Sequence, residues 1–337
     1  MLETADTPAC QEVQQTQADI SVPICRNFRI ADHPVTDFAL SLTLRMLANR
    51  LKNDQSRFLP WGLLLLYLIG RTLQLFAGRV PNLIIVIFHV VPPALFAVLH
   101  GARIYRWRGM LVFAALSLGV GTLFESLSLR TGFPFGHYRF TDLMGPKIFD
   151  LPILLALAYV GMGYLSWVVS VALVGGENRS LSDGRIVWTP MIASFVMTAW
   201  DLSMEAVWAD VDHGWVWRDG GSYYGVPISN FLGWLLTTYV FYQLFAFYIR
   251  NREILPARKS HYLPAISFYA LSAMGNLLVI APSSLGSIFV DATGKQWMIS
   301  SILRTSRLVS IFLMVPLSLA ACVTLYGSGR PSRADCS

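Results

Sequence analysis

From residue 58 onward the chain runs as long apolar stretches separated by short polar or aromatic loops. A helix needs about 20 consecutive, mostly apolar residues to cross the hydrocarbon core of a bilayer. Eight stretches reach or approach that length: 58–78, 80–100, 109–128, 151–174, 186–207, 228–249, 263–283 and 308–327. The fourth, sixth, seventh and eighth contain no Asp, Glu, Lys or Arg. The seventh is the most polar of these, with several serines and Asn276, so the pattern predicts seven or eight spans. The apolar runs are continuous, which predicts helices and not the short alternating strands of a membrane β-barrel. The fold class expected is all-α, a polytopic membrane helical bundle.

Residues 1–56 form a polar N-terminal tail without an early apolar run, so no signal peptide is expected. Within it, 36–51 has the pattern of a helix lying on the membrane surface. Residues 57–328 make the transmembrane domain and 329–337 a short C-terminal tail. No period of 20–50 residues repeats.

Composition agrees with this picture. Of 337 residues, 54% are hydrophobic and 14% charged, against about 25% charged in an ordinary soluble domain. Mean hydropathy is +0.51. These values exclude a disordered chain, a coiled coil and a typical soluble enzyme. The net charge of +6 reflects where Lys and Arg sit and does not suggest nucleic acid. Fifteen of them flank the spans on the side of the termini, against eight on the other side. The positive-inside rule then predicts a multi-pass protein of the inner, cytoplasmic membrane with both termini cytoplasmic. Cys10, Cys25, Cys322 and Cys336 form no CxxC pair, so neither a zinc site nor a redox motif is expected.

A charge inside a membrane costs about 2.5–3.5 kcal/mol on insertion scales, so the few present in the spans stand out. They are Arg71, Glu125, Asp201 and Glu205, all expected in the outer half of the bilayer, with His89 midway along the second span. Asp201 and Glu205 are four residues apart and share one helix face. Two carboxylates on one face repel unless a cation or a proton intervenes, which is the arrangement of a general acid. The plain alternative is a structural ion pair, for instance with Arg71.

The two loops on the same side, after Glu125 and after Glu205, are dense in Gly, Pro, Trp and Tyr. They also carry His137, Asp150, Asp212, His213 and Asn230, more polar groups than an interfacial aromatic belt requires. Acids, aromatics and turns on one face predict a capped pocket. No metal is expected: His137, Asp212 and His213 lack a ligand spacing such as HExxH. The glycines of GVGTLF and GMGYL lie inside spans and read as packing residues. There is no GxSxG elbow and no repeated DDxxD-type motif for a magnesium–diphosphate site.

Four stretches carry a resemblance to a known family. TGFPFGHYRF (Thr131–Phe140), WDLSME (Trp200–Glu205), GWVW (Gly214–Trp217) and YYGVPISNFLGW (Tyr223–Trp234) occur in one order within a similar pattern of spans. Over roughly residues 60–325 the chain resembles the integral-membrane carotenoid biosynthesis protein family, which includes carotenoid 1′,2′-hydratases and bisanhydrobacterioruberin hydratases. Where the family pattern has an Asp-Pro pair after the WDL segment, this chain has Glu205 and Ala206. The carboxylate is kept, with one more methylene of reach and no proline kink.

The resemblance implies an enzyme that adds water to a terminal double bond of an acyclic carotenoid or related polyisoprenoid, without a cofactor. A carboxylic acid protonates the alkene, and water traps the tertiary cation. Asp201 is the expected proton donor, with Glu125 or Glu205 as partner, and His137 or Asn230 as holders of the water. Tyr138, Trp200, Trp208 and Tyr224 are expected to face the cation, with Trp215, Trp234 and Arg71 completing the substrate-binding set. The expected partners are the lipid-soluble substrate, membrane lipid and other carotenoid-pathway enzymes. Two rival readings stand: a cyclase or isomerase using the same protonation, and a lipid transporter or binding protein in which His89 joins a proton relay. No inverted repeat supports the transporter.

Overall fold

A computed structural model describes residues 58–327, apart from 77–78, 149, 176–180, 182–183, 253, 256 and 281–285. The N-terminal tail 1–56 with its 36–51 helix, the C-terminal tail 329–337, and Cys10, Cys25 and Cys336 lie outside the described residues. Cys322 is a half-buried free thiol.

The described chain is an all-α bundle. Its helices are α1 (Phe58–Phe76), α2 (Asn82–Thr131), α3 (Ile153–Leu173), α4 (Arg185–Ala206), α5 (Ile228–Ile249), α6 (Lys259–Gly275) and α7 (Ile299–Gly327). Five of these, α1, α2, α3, α5 and α7, are long and apolar enough to cross a membrane.

The 50-residue α2 is two arms. Arg106 takes φ 59°, ψ 168°, which interrupts the helical backbone. A straight helix would set His100 and Phe113 about 20 Å apart along its axis. Both instead touch the one Tyr164 ring, at centroid distances of 5.7 Å and 5.9 Å. The arms therefore fold back on each other and pack against α3, giving the separate second and third spans that the sequence pattern predicts. With the arms counted apart, the described residues contain eight helical rods.

Two rods differ from their predicted bounds. Helix α6 stops at Gly275 and passes into a tight 3-10 turn at Asn276–Leu278, shorter than the predicted 263–283 span. Helix α7 begins nine residues before the predicted 308, because its first turns carry Arg304 and Arg307 and fall outside an apolar window. Arg307 donates to the carbonyl of Val279 at 2.9 Å, which ties those turns down.

The packing role of two glycines is visible. A Cβ on Gly161 would meet the backbone nitrogen of Ala94 at 2.8 Å, and one on Gly121 would meet the Tyr159 ring at 3.2 Å. Both let α2 and α3 approach closely, as small residues do in membrane bundles.

The loops at one end of the bundle hold three small antiparallel ribbons. They are β1 (Tyr138–Phe140) with β4 (Trp215–Trp217), β2 (Lys147–Ile148) with β3 (Leu151–Pro152), and β5 (Ile288–Val290) with β6 (Gln296–Met298). The β1–β4 ribbon joins the loop after α2 to the loop after α4, pairing Tyr138 with Trp217 and Phe140 with Trp215.

Candidate active site

Strand alternation determines what the β1–β4 ribbon presents. Successive side chains point to opposite faces. Tyr138, Trp215 and Trp217 are buried and Phe140 is partly so, while Arg139 between its neighbours is exposed. The inward face closes over the end of the bundle and supplies hydrogen-bond donors to two buried glutamates.

Glu125, on the second arm of α2, accepts from the hydroxyls of Tyr138 and, at 2.7 Å, Tyr159. Glu205, in the last turn of α4, accepts from the indoles of Trp215 at 2.6 Å and Trp217 at 2.9 Å, both at Oε1. Among the described residues neither carboxyl meets a cation; His137 pairs with Asp219 and Lys147 with Asp142, both at the surface.

The two glutamates line one chamber of about 320 Å³, with Asn230, Phe135, Tyr138 and Trp234 among its other walls. Asp201, one helical turn before Glu205, is fully buried and does not line this chamber. Its Oδ2 accepts from Asn230 Nδ2 at 3.0 Å, and its Oδ1 has no hydrogen-bond partner. The Asp201 carboxyl meets both Asn230 and Glu205, and these two line the chamber together with Glu125.

A larger cleft of about 590 Å³ adjoins the chamber. Leu155, Met204 and Trp215 border both spaces. Trp200 and Trp208 line the cleft, and Trp208 stacks on Trp215 with interplanar angle 4° and centroids 6.4 Å apart. Trp234 lines the chamber and stacks on Tyr159 at 4.9 Å.

Arg71 and His89 also face the cleft. Arg71 forms no ion pair with an acid of the site. Its Nη2 donates to Asn276 Oδ1 at 2.6 Å and to the Ser272 carbonyl at 3.4 Å. His89 donates from Nδ1 to the Ile85 carbonyl at 2.6 Å, a helix-internal bond.

Two expected residues lie elsewhere. His137 precedes the inward-facing Tyr138, so its own side chain points outward, half exposed, with Nδ1 2.7 Å from Asp219 Oδ2. It does not reach the chamber. Tyr224 sits at φ 57° in the loop before α5, and its hydroxyl lies 2.5 Å from Thr305 Oγ1 on α7, outside both spaces.

Two important residues were not singled out from the sequence. Tyr159 lies in an uncharged apolar span, where its hydroxyl is the only hint. Trp217 was legible: in WVW, period-2 alternation puts it on the same face as Trp215. Among the described residues no three of His, Cys, Asp or Glu gather as metal ligands. Asp212 and His213 border different spaces, and His137 pairs with Asp219 at the surface.

Residues 81–293 match the family described as carotenoid biosynthesis protein, a stretch that includes both glutamates, Asp201, Asn230 and the β1–β4 ribbon. No curated protein and no solved structure matches the chain.

Proposed function

The chain belongs to the carotenoid biosynthesis protein family, and on that premise we propose that it hydrates a terminal double bond of an acyclic carotenoid or similar polyisoprenoid. Its role in carotenoid biosynthesis follows from the family, and its apolar helices mark a membrane protein.

The observation that carries it is the Glu205 carboxyl. An indole N–H can only donate, so Oε1, which receives two of them, is the oxygen less suited to carry the proton. The acidic form of Glu205 therefore carries its hydrogen on Oε2, the oxygen left for the chamber. In the proposed reaction that O–H protonates the terminal alkene carbon, forming a C–H bond from the π pair and leaving a tertiary cation. Aromatic faces around the chamber and cleft, Trp215 and Trp234 foremost, stabilise the cation. Water adds its oxygen to the cation, and the resulting oxonium returns its proton to a carboxylate. The sum is alkene plus water to tertiary alcohol, and it requires no redox cofactor.

Asn230 is suited to orient the water. Its Nδ2 is engaged by Asp201, which fixes the amide and turns Oδ1 to accept from a water hydrogen. Asp201 then acts through Asn230 as a positioning residue, and Glu125, held by two tyrosine hydroxyls, is the second carboxyl of the chamber. The apolar cleft beside it suits a polyene arriving from the lipid with one end in the chamber.

The test is expression in a bacterial host that accumulates lycopene, followed by chromatography and mass spectrometry of the pigments. A product heavier by one water, lost in Glu205→Gln, supports the reading. A new pigment of unchanged mass would mean cyclisation or isomerisation, and no new pigment from well-inserted protein would oppose alkene chemistry on this substrate.

A further inference from the structure

Hydration needs water at the cation, and the polyene already claims the cleft adjoining the chamber. A third space lies against the far side of the chamber wall. It is a vestibule of about 690 Å³ with Asp210, Trp217 and Asp291 buried in its floor and His213, Val290 and Ala292 exposed at its rim. Trp217 borders both the vestibule and the acid chamber, so its indole is a shared wall.

The two carboxyls of the floor differ in kind. Asp291 is fully engaged. Its Oδ1 accepts from the backbone and hydroxyl of Thr293 and the backbone of Lys295, and its Oδ2 from the Trp297 indole. These bonds close the turn between β5 and β6. Asp210 is only 4% exposed, and its Oδ2 has no partner among the described residues. A buried carboxyl oxygen without a partner is costly unless water meets it, and the vestibule, whose rim residues are exposed, has room for water beside Asp210. Asp210 stands five residues beyond Glu205, on the π-turn Val207–Val211 that continues α4.

We infer that the vestibule is the route by which water reaches the acid chamber, with Asp210 the positioning residue that holds water beside Trp217. The inference rests on the hydration reading above. Polyene and water then approach one chamber from different sides, the first through the apolar cleft and the second through the vestibule.

The balance of the reaction gives a direct readout. After protonation the cation has two fates. Capture by water forms the C–O bond, and the oxonium proton goes to the carboxylate, giving the alcohol. Loss of a proton from an adjacent carbon to that carboxylate regenerates an alkene. In D2O the first fate yields deuterated alcohol and the second leaves deuterium in recovered alkene, so one mass spectrum gives their ratio. Water supply governs that ratio, whereas a purely structural defect lowers both products together.

The experiment uses the full chain in lycopene-loaded membranes suspended in D2O. Asp210→Leu removes the polar contact at similar volume. Ala292→Trp fills the rim from an exposed position that touches neither glutamate, and carries the test alone if the first variant does not fold. The ratio of alcohol to deuterated alkene is expected to fall about fivefold or more, the worth of one ordinary hydrogen bond. An unchanged ratio in the folded variants overturns the inference. A wild-type protein giving neither alcohol nor deuterated alkene overturns instead the hydration reading on which it rests.

Discussion

Tyr138 and Trp217 face each other across the β1–β4 ribbon, their ring centroids 5.0 Å apart, and each gives its hydrogen to a different buried glutamate. The ribbon is therefore more than a cover. Its register fixes the positions of two carboxyls that come from different helices, Glu125 on α2 and Glu205 on α4. A one-residue slip would turn Tyr138 and Trp217 outward and strip a donor from each acid.

Removing either donor while keeping an aromatic ring at the position tests this coupling. Tyr138→Phe and Trp217→Phe are each expected to lower turnover about tenfold, as expected for one hydrogen bond to an acid. Because the two rings pack on each other, the double variant should lose less than the product of the single losses. Product yield per amount of membrane-inserted protein measures all three. Strictly multiplicative losses would mean that the glutamates are positioned independently.

The three acids should separate in severity. Glu205→Gln is expected to reduce water addition by about 10²–10⁴-fold, the usual worth of a general acid. Asp201→Asn should cost less, because that side chain acts through Asn230. Asn230→Leu should therefore resemble Asp201→Asn and not Glu205→Gln. Pigment extraction from matched cultures gives the ranking, and a more severe loss in Asp201→Asn than in Glu205→Gln would return the proton to Asp201.

Much of this was readable from the sequence. The long apolar runs gave the bundle, and the rare intramembrane charges gave Glu125, Asp201 and Glu205, because each such charge demands a reason. Aromatic and turn-rich loops on one side pointed to a cap. Which acid faces the chamber was not readable. Asp201 and Glu205 share a helix face at four-residue spacing, and only the incoming Asn230 and the two indoles distinguish them. The outward position of His137 follows from strand alternation in the loop: with Tyr138 inward, its neighbour points out. Tyr159 carried no local signal, since its partner Glu125 lies 34 positions away.

Asp210 gives a pH prediction. Burial first, then the nearby Glu205 and Asp291 carboxyls, push its carboxyl up to about 9. In the unfolded chain an Asp ionises near 4. Between those values the folded state holds a proton that the unfolded state has lost, so this residue lowers stability progressively as pH rises from about 4 to about 9. Asp210→Asn lacks that dependence. Its melting temperature relative to wild type should rise from pH 5 to pH 8.5, as measured by thermal unfolding in detergent. A difference that stays constant with pH would show that Asp210 ionises normally in the folded protein.

Arg71 and Gly275 provide the last prediction. A Cβ on Gly275 would lie 1.7 Å from Arg71 Nε, so the guanidinium occupies space that only a glycine leaves free. That guanidinium donates to Asn276 Oδ1 at 2.6 Å, and Asn276 in turn donates to Ser203 Oγ at 3.0 Å and Ser310 Oγ at 2.9 Å. The cluster ties α1, α4 and α7 to the end of α6. Gly275→Ala must push the guanidinium away, breaking a buried network, with an expected cost of about 1–3 kcal/mol for the forced shift. The apparent melting temperature should fall accordingly. Arg71→Ala alone should also fall, since it leaves Asn276 Oδ1 buried without its donor. Combining them separates clash from simple loss of helix packing. If the clash with Arg71 is the cause, truncating Arg71 in the Gly275→Ala background does little further harm, because the side chain had already been displaced. Fully additive losses in the double variant would place the effect of Gly275→Ala elsewhere on α6.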